Sequence, residues 1–434
     1  MARAPQSKQF EWNPDMPDGM TRAVCLSQQQ GQAVFAARDW FRTGFGRSPF
    51  FYLAGYAGSG KSTIIPNLID ACGLDAEHDV AFCAPTGKAA LVMGRKLRAA
   101  GVEVTPRTVH RTLYAPPEVR GGRLGAQGAR GWTDNLTFRL DPQAWVGSGR
   151  CRLIVVDEAS MIGTKVGQDL MSFGKPVLVI GDPGQLPPIE EAGYFTAGEP
   201  DFFLSEIHRQ ARDNPIIALA TDVRQGLPLR YGTQGDRVRI VGPGTIDIPD
   251  RVETMPQVIC GTHRRRWTLT DQIRQALGFT GKFPQPGERL ICCKNSRTLP
   301  ELINGVGAVN TAPVGIAFDD AYAAVLYASD EDRQPLTRDA DGTPAPIRCY
   351  RGLFDEHDLR QRGAVHGDRN VAKYKWRDLE HFDWGWAITC HKSQGSAWDE
   401  VLVWDESHVF RQDWKRWLYT AITRASKRLT IITG

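Results

Sequence analysis

The sequence predicts an α/β protein built on two parallel sheets, each covered by helices on both faces, with two smaller insertions. Three observations carry that prediction. Short apolar runs rich in strand-forming residues recur at 50–54, 80–84, 153–156 and 177–180, and again at 258–260, 386–389, 401–404 and 429–432. Several of these runs are continuous rather than alternating, as strands buried on both faces must be, and helical-looking segments separate them. Two stretches, 115–150 and 306–375, break the rhythm.

Length and composition frame the rest. The chain has 434 residues, room for about three domains at ~150 residues each. With 41% apolar and 24% charged residues it has globular composition rather than that of a disordered or coiled-coil chain. No apolar run approaches the ~20 residues of a membrane span, so an integral membrane protein is not expected. The first twenty positions are polar and punctuated by proline, without the apolar core of a secretory signal, and a cytoplasmic location is expected. The nine cysteines contain no CxxC pair, which argues against a disulfide framework or a zinc ribbon. Cys292 and Cys293, inside an apolar strand-like run, read as core residues. The net charge of +4 permits a nucleic-acid partner without demanding one.

The first four runs build one domain and the last four a second. The stretch 115–150 is Gly-rich and carries Trp132, Phe138 and Trp145 without a clear period, as an inserted hairpin or small subdomain would. Between 306 and 375, short strand-like runs at 323–327 and 347–350 are separated by acidic and Pro/Gly turns, which suggests a small β-barrel-like insertion. The expected division is a tail at 1–25, a first domain at 26–114 and 151–210, an insertion at 115–150, a second domain at 211–305 and 376–434, and an insertion at 306–375.

The strongest chemical signal is Gly55-Tyr-Ala-Gly-Ser-Gly-Lys-Ser62, a GxxxxGK[ST] loop between the run 50–54 and a helix-like stretch at 63–72. Gly55, Gly58 and Gly60 let the backbone N–H groups of a loop that runs through Ser59 to Thr63 wrap phosphates. Lys61 reaches the β and γ oxygens, and Ser62 binds magnesium. Arg152-Leu-Ile-Val-Val-Asp157-Glu158 is a buried strand ending in two acids. Asp157 reads as the metal-side carboxylate and Glu158 as the base that orients the attacking water, the alternative being a solvated strand edge or helix cap. The run 177–180 leads into Gly-Asp-Pro-Gly-Gln185-Leu-Pro-Pro, where a Gln amide beyond a nucleotide-binding strand can register the γ-phosphate, or a Pro/Gly turn simply closes. Arg209, after an apolar run, and Arg424, before the final strand, are candidate arginine fingers, although an isolated Arg is more often a surface cation.

Taken in order, Leu26-Ser27-x-x-Gln30, GYAGSGKST, Ala84-Pro-Thr-Gly-Lys-Ala-Ala90, Thr108-Val-His110, VVDEAS, GDPGQLPP, SEIHRQ, Thr389-Cys-His-Lys-Ser-Gln-Gly-Ser396 and YTAITRA resemble the motif set of superfamily 1 DNA helicases, most closely the RecD/Dda-like branch. The resemblance implies two RecA-like domains with ATP and Mg2+ bound between them and single-stranded DNA crossing both. It makes Gln30 the adenine reader, sets Gln185, Arg209 and Arg424 at the γ-phosphate, and brings Gly395 to the nucleotide. Pro85, Thr86, Thr108, His110, Thr389, His391 and Lys392 fall on motifs that line the DNA path, where small polar groups and backbone amides hold phosphates without reading sequence. The bland alternative for the threonines is helix capping, and for His110 a structural role.

The two insertions take the places of the family's duplex-splitting pin and its SH3-like brace. Trp132, Phe138 and Trp145 are then candidate pin aromatics, against the alternative of a buried mini-core. One departure stands out: the family usually carries Glu after the QGS of its fifth motif, and this chain has Ala397, which leaves Ser396 or Asp399 to supply any coupling. The expected activity is ATP-dependent unwinding with 5'→3' movement, in replication, recombination or repair. Expected partners are single-stranded and forked duplex DNA, together with replication or recombination proteins, and the expected state is a monomer. Rival readings are an ATP-driven translocase without processive unwinding, a nucleotide-gated binding module, and, weakest, a small-molecule P-loop kinase that would not need motifs in a second sheet.

Overall fold

The computed structural model describes residues 26–115, 139–188, 193–206, 213–243, 252–296, 299, 302–316, 321–329, 333–361 and 379–433. The first sheet contains β1 Phe50–Gly55, β2 Val80–Ala84, β3 Arg107–Thr108, β4 Leu153–Val156, β5 Val177–Gly181 and β6 Phe202–Leu204 in the order β3-β2-β4-β5-β1-β6. All neighbours pair in parallel. The four strands expected from sequence are the central four, and the short edges β3 and β6 complete the sheet.

Helices α1 Gln28–Asp39, α2 Ile65–Cys72, α3 Gly87–Ala99, α4 Val109–Leu113 and α5 Thr164–Met171 cover this sheet. The continuous apolar runs serve two cores because successive side chains point to opposite faces. Phe51 and Leu53 of β1 pack with Ile64, Leu68 and Met93 on one face. Tyr52 and Ala54 pack with Val156 and Val179 on the other.

The chain leaves this domain and returns at one point. Tyr114 and Leu140 form an antiparallel bridge, with the Ala115 amide donating to the Arg139 carbonyl at 3.0 Å. Trp132 and Phe138 lie outside the described residues. Trp145 starts a 3-10 turn, Trp145–Gly147, and its ring is partly exposed, while Ala144 and Val146 beside it are buried in the first domain's core.

The second domain opens with α6 Pro215–Gln225, β7 Gly232–Gln234, β8 Val238–Val241, β9 Gln257–Cys260 and α7 His263–Ala276. The chain then builds an antiparallel block. Its members are β10 Arg289–Cys292, β11 Gly307–Asn310, β12 Gly315–Ile316, β13 Ala321–Ala324, β14 Leu326–Ala328, β15 Ile347–Tyr350, α8 Gly352–Gln361 and β16 Phe382–Trp384. It returns with β17 Ala387–Thr389, α9 Cys390–Ser393, β18 Trp398–Asp405, α10 Trp414–Ile422 and β19 Ala425–Thr433. The second sheet has the order β17-β9-β18-β19-β8-β7 and is parallel except for the β7–β8 hairpin at its edge. No helix among the described residues is long and apolar enough to cross a membrane.

The antiparallel block is two sheets, β14-β11-β10-β16 and β12-β13-β15. The stretch 323–327, which reads as a single strand in sequence, divides at Val325: β13 pairs with β15 in one sheet and β14 with β11 in the other. The block's pairing also reaches beyond 306–375 on both sides, because β10 and β16 pair with each other rather than with a parallel neighbour. A four-residue apolar run carries no mark of the sheet it will join. Cys292 closes β10 as a buried core residue, and Cys293, just past it, is half-buried.

One core joins this block to the second parallel sheet: Val258, Leu269 and Ile273 pack with Leu290, Tyr322, Phe354 and Trp384. Two buried ion pairs bind the same interface. Arg266 of α7 meets Asp383 of β16 at 2.7 Å, and Arg274 meets Glu288 at 2.6 Å with its guanidinium 3.9 Å from the Trp384 ring. Glu288 also accepts from the Gln285 amide and the Trp386 indole. Removing one member of such a pair strands a buried charge, so Glu288→Ala is expected to lower stability by about 3–5 kcal/mol. Urea unfolding measures it, and a loss below about 1 kcal/mol would mean that the pair behaves as an exposed one.

Candidate nucleotide site and its neighbouring strand ends

The P-loop follows from β1 by backbone necessity. Gly58 and Gly60 have φ of 83° and 77°, a region that side-chain-bearing residues rarely adopt. A Cβ on Gly55 would lie 2.6 Å from Ser59 Oγ. The helix-like stretch expected at 63–72 resolves into a 3-10 turn, Lys61–Ile64, that runs on into α2, with Pro66 tolerated in its first turn.

Around the loop the predicted catalytic residues converge. Ser62 Oγ donates to Asp157 Oδ2 at 3.0 Å, a hydroxyl and a carboxylate side by side, the hard oxygen ligands that magnesium takes. Lys61 Nζ donates to the Tyr56 carbonyl at 2.9 Å and stands 4.0 Å from Asp182. Glu158 occupies the left-handed region, φ 54°, and donates its amide to Asp157 Oδ1. Its carboxyl pKa is raised by burial and by the Asp157 charge, against the opposing pull of Arg424, Lys61 and Lys96. Gln185 is buried, and its Oε1 has no hydrogen-bond partner.

The second domain reaches into this site. Tyr419 of α10 donates its hydroxyl to Asp182 Oδ2 at 2.7 Å and accepts from the Ala57 amide at 2.8 Å. Leu186, next to Gln185, is held at both ends, by the Thr420 hydroxyl on its amide and the Gln394 amide on its carbonyl. Arg424 is buried and donates to the carbonyls of Thr420 and Ser396 and to the Thr423 hydroxyl. Gln30 forms a capping box with Ser27 at the start of α1, and its Nε2 is 3.4 Å from the Ser59 carbonyl, which sets it against the P-loop. Arg209 lies outside the described residues.

The residues assigned to DNA gather at other strand ends. Thr86, Thr108 and Thr389 cap α3, α4 and α9, accepting from the amides of Ala89, Arg111 and Lys392. Capping is therefore their local role, and it places each threonine at an open helix N-terminus beyond β2, β3 and β17. Pro85 precedes the first of these caps. Thr262 is a fourth member that the motif reading missed: it caps α7 at the end of β9, and its strand pairs with β17 so that Cys260 faces Thr389. The signal was present in Gly261-Thr262, directly after an apolar run.

Gly395, expected at the nucleotide, lies against the α3 N-terminus, where an added Cβ would be 2.9 Å from Ala89 Cβ and 3.3 Å from Thr86 Oγ1. Lys392 Nζ donates to the Cys292 carbonyl at 3.2 Å and to Asn304, so it ties α9 to the antiparallel block. That block also touches the first domain, with Ile303 against Gly87. His391 faces the Phe410 ring, and burial pushes its pKa down. His391, Thr389 and Lys392 line a cavity of about 490 Å3 with Pro187 and Pro188 of the first domain. His110 is exposed on α4, 5.4 Å from the Tyr114 ring. Asp399 is committed to Lys427 and Ser426 at the surface, while the Ser396 carbonyl receives Arg424.

Fold and site together define a P-loop nucleotide-binding protein with two RecA-like domains. Residues 41–242 match an AAA domain family, and residues 385–432 match the UvrD-like helicase C-terminal domain. The ATP-dependent RecD2 DNA helicase of Deinococcus radiodurans is 27% identical over 403 residues, covering 87% of this chain and 46% of that protein. The RecBCD enzyme subunit RecD of Mycobacterium tuberculosis is 26% identical over 425 residues, covering 88% and 66%. The chain thus spans about half to two thirds of the length of these relatives. Pif1 helicase from Candida albicans has the same fold, with a TM-score of 0.51 at 16% identity over 94% of each chain. The chain is thus similar in sequence to RecD-type superfamily 1 helicases and shares its fold with Pif1 helicase.

The Glu158 environment makes a prediction about stability. A carboxyl pKa raised by folding means that the group's favourable contribution is present below the unfolded value of about 4.3 and is lost as pH rises through the folded value. Glu158→Gln, neutral and of the same shape, is therefore expected to be more stable than the parent at pH 7, with the difference vanishing below about pH 4. Urea midpoints across pH measure this, and equal midpoints at pH 7 would show that the carboxylate carries no penalty.

Proposed function

We propose that this chain is an ATP-driven DNA helicase motor that moves 5'→3' along single-stranded DNA and separates forked duplex. The observation that carries the proposal is the Tyr419 hydroxyl, which joins the second domain to both the Ala57 amide of the P-loop and Asp182. An event at the γ-phosphate reaches both domains through that bond. The relatives fit this reading: one is named an ATP-dependent DNA helicase, and a Bacteroides Pif1 of the same fold was solved bound to single-stranded DNA.

In this mechanism Ser62 and Asp157 would hold magnesium, which would neutralise phosphate charge, and Lys61 exchanges the Tyr56 carbonyl for phosphate oxygens. Glu158, its pKa raised toward the working pH, takes the proton of the attacking water, and the open Gln185 Oε1 accepts a hydrogen bond from that water. Arg424 and Arg209 supply positive charge as the cleft closes. Gln30 borders the adenine. Gln185 connects through Leu186 to Pro187 and Pro188, which wall the cavity beside Thr389, so nucleotide state shifts the grip at Thr86, Thr108, Thr389, His391 and Lys392 on phosphates.

The proposed domains are 26–114 with 151–210, and 211–305 with 376–434 apart from β10 and β16, which pair within the antiparallel block. The 115–150 insertion, hung from the Tyr114–Leu140 bridge, acts as the pin, and the second insertion braces it. The setting is cytoplasmic and monomeric, alongside replication or recombination proteins.

Lys61→Ala is expected to abolish ATP hydrolysis while leaving single-strand binding within a few-fold, because the DNA contacts lie on other strand ends; retained turnover would sink the nucleotide assignment. Glu158→Gln is expected to bind ATP normally and hydrolyse it at least ~100-fold more slowly. Replacing Gly125 to Thr137 by a short Gly/Ser turn is expected to spare DNA-stimulated ATPase and streptavidin displacement while strand release from 5'-tailed duplexes collapses. If both fall together, the segment belongs to the motor core. Unwinding of 3'-tailed duplexes in preference to 5'-tailed ones would reverse the polarity.

A further inference from the structure

A cavity of about 870 Å3 lies between the domains, walled on the first-domain side by Tyr56 and the 183–188 loop and on the other by Arg224, Lys415, Arg416 and Tyr419. None of its three cations belongs to the catalytic set. We propose that this cavity is a binding site for inorganic phosphate, the station that holds the cleaved γ-phosphoryl group before it leaves the protein. The proposal rests on the ATP-hydrolysis reading above.

Three independent features call for an anion here. Arg224, in the last turn of α6, lays its guanidinium 3.5 Å from the Tyr56 ring centroid across the cleft. That contact covers one face of the guanidinium and Nε is shut off from solvent, while the side chain still lines the cavity. Secondly, Lys415 and Arg416 stand in the first turn of α10, where the preceding Asp413 makes no side-chain cap and no acid is present. Cations at a helix N-terminus oppose the macrodipole, and an anion in front of that terminus relieves the conflict. Thirdly, among the described residues the only carboxylate lining the cavity, Asp413, is already engaged with Arg416 at 3.1 Å. Arg224 and Lys415 have no ion-pair partner among the described residues.

Position identifies the anion. Tyr419 borders the cavity with its ring and bonds Asp182 and Ala57 with its hydroxyl, and Lys61 is 4.0 Å from the same Asp182. The ring closes on Gly184, where a Cβ would come within 3.0 Å of Tyr419 Cε1. Hydrolysis forms a bond from water oxygen to the γ-phosphorus, breaks the bond to the β–γ bridging oxygen, and sends the water proton to Glu158. The products are ADP and orthophosphate. Displacement of the Tyr419 ring opens the way from the γ position to Arg224 and Lys415, whose N–H donors suit a phosphate oxygen.

The test is equilibrium dialysis of the full chain with labelled orthophosphate, with a non-hydrolysable ATP analogue saturating the P-loop through its γ position. The expected result is one phosphate bound per chain, with affinity at least ten-fold weaker in Arg224→Ala and in Lys415→Ala and analogue affinity unchanged within two-fold. Phosphate bound only when the analogue is absent would assign it to the γ position itself, and displacement by an oligonucleotide would assign the site to strand phosphates; either overturns the proposal, as does unchanged affinity in both variants. A second arm compares ATP cleavage in acid quench with free phosphate read by a fluorescent phosphate sensor. Release is expected to trail cleavage in the parent and to trail it at least five-fold less in Arg224→Ala, and an unaltered lag counts against the station. A chain that cleaves no ATP would defeat the proposed function while leaving the dialysis result to decide the site.

Discussion

Parallel strands deliver their C-terminal ends to one edge of a sheet, and the chemistry of this protein hangs from two such edges. In the first sheet β1 ends in the P-loop, β4 in Asp157 and Glu158, β5 in the Gln185 loop, and β2 and β3 in capped helix starts. Residues far apart in the chain therefore meet without any long loop having to carry them. The strand order places β1 beside β5, so the loop that cradles phosphates and the loop ending in Gln185 are neighbours by hydrogen-bond geometry alone. The second sheet repeats the device with β9 and β17, whose Thr262 and Thr389 cap adjacent helices.

The core strands obey ordinary packing rules, and two residues of the cleft depart from them. Core strands are apolar and buried on both faces, whereas Glu158 has a left-handed backbone and a disfavoured charge, and Gln185 holds a buried, unsatisfied oxygen. A left-handed non-glycine costs of order 1–3 kcal/mol, and such strain persists only where the surroundings over-determine it. Here they do: Asp157 takes the Glu158 amide, and Leu186 beside Gln185 is pinned from the second domain by Thr420 and Gln394. A left-handed glutamate and an unsatisfied glutamine at a domain junction mark a site that changes partners as it works.

The antiparallel block extends this logic to the other side of the cleft. It shares its core with α7, is tied to α9 through Lys392, and touches the α3 N-terminus through Ile303. The block therefore contacts both domains at the strand ends assigned to DNA. The missing side chains of Gly87 and Gly395 let the block, through Ile303, and the second domain, through Gly395, approach the α3 N-terminus, since a Cβ at either position would overlap its neighbour.

The sequence by itself determined eight strands of the two six-stranded sheets, the P-loop, the acidic strand end and the presence of two sheets, because each is written in local terms. A continuous apolar run, a glycine spacing and a strand-terminal acid pair all have meanings that no distant residue alters. Only the tertiary structure decided which sheet β10 and β16 join, where the 323–327 run divides, and that Gly395 meets Thr86, because those outcomes depend on partners supplied from elsewhere in the chain. It also decided that Asp399 faces solvent and that Thr262 joins the capping threonines. Arg224, Lys415 and Arg416 illustrate the physical reason: each is an unremarkable helix cation in sequence, and only the packing of α6 on α10, with Tyr56 brought up from the first domain, sets them around one cavity.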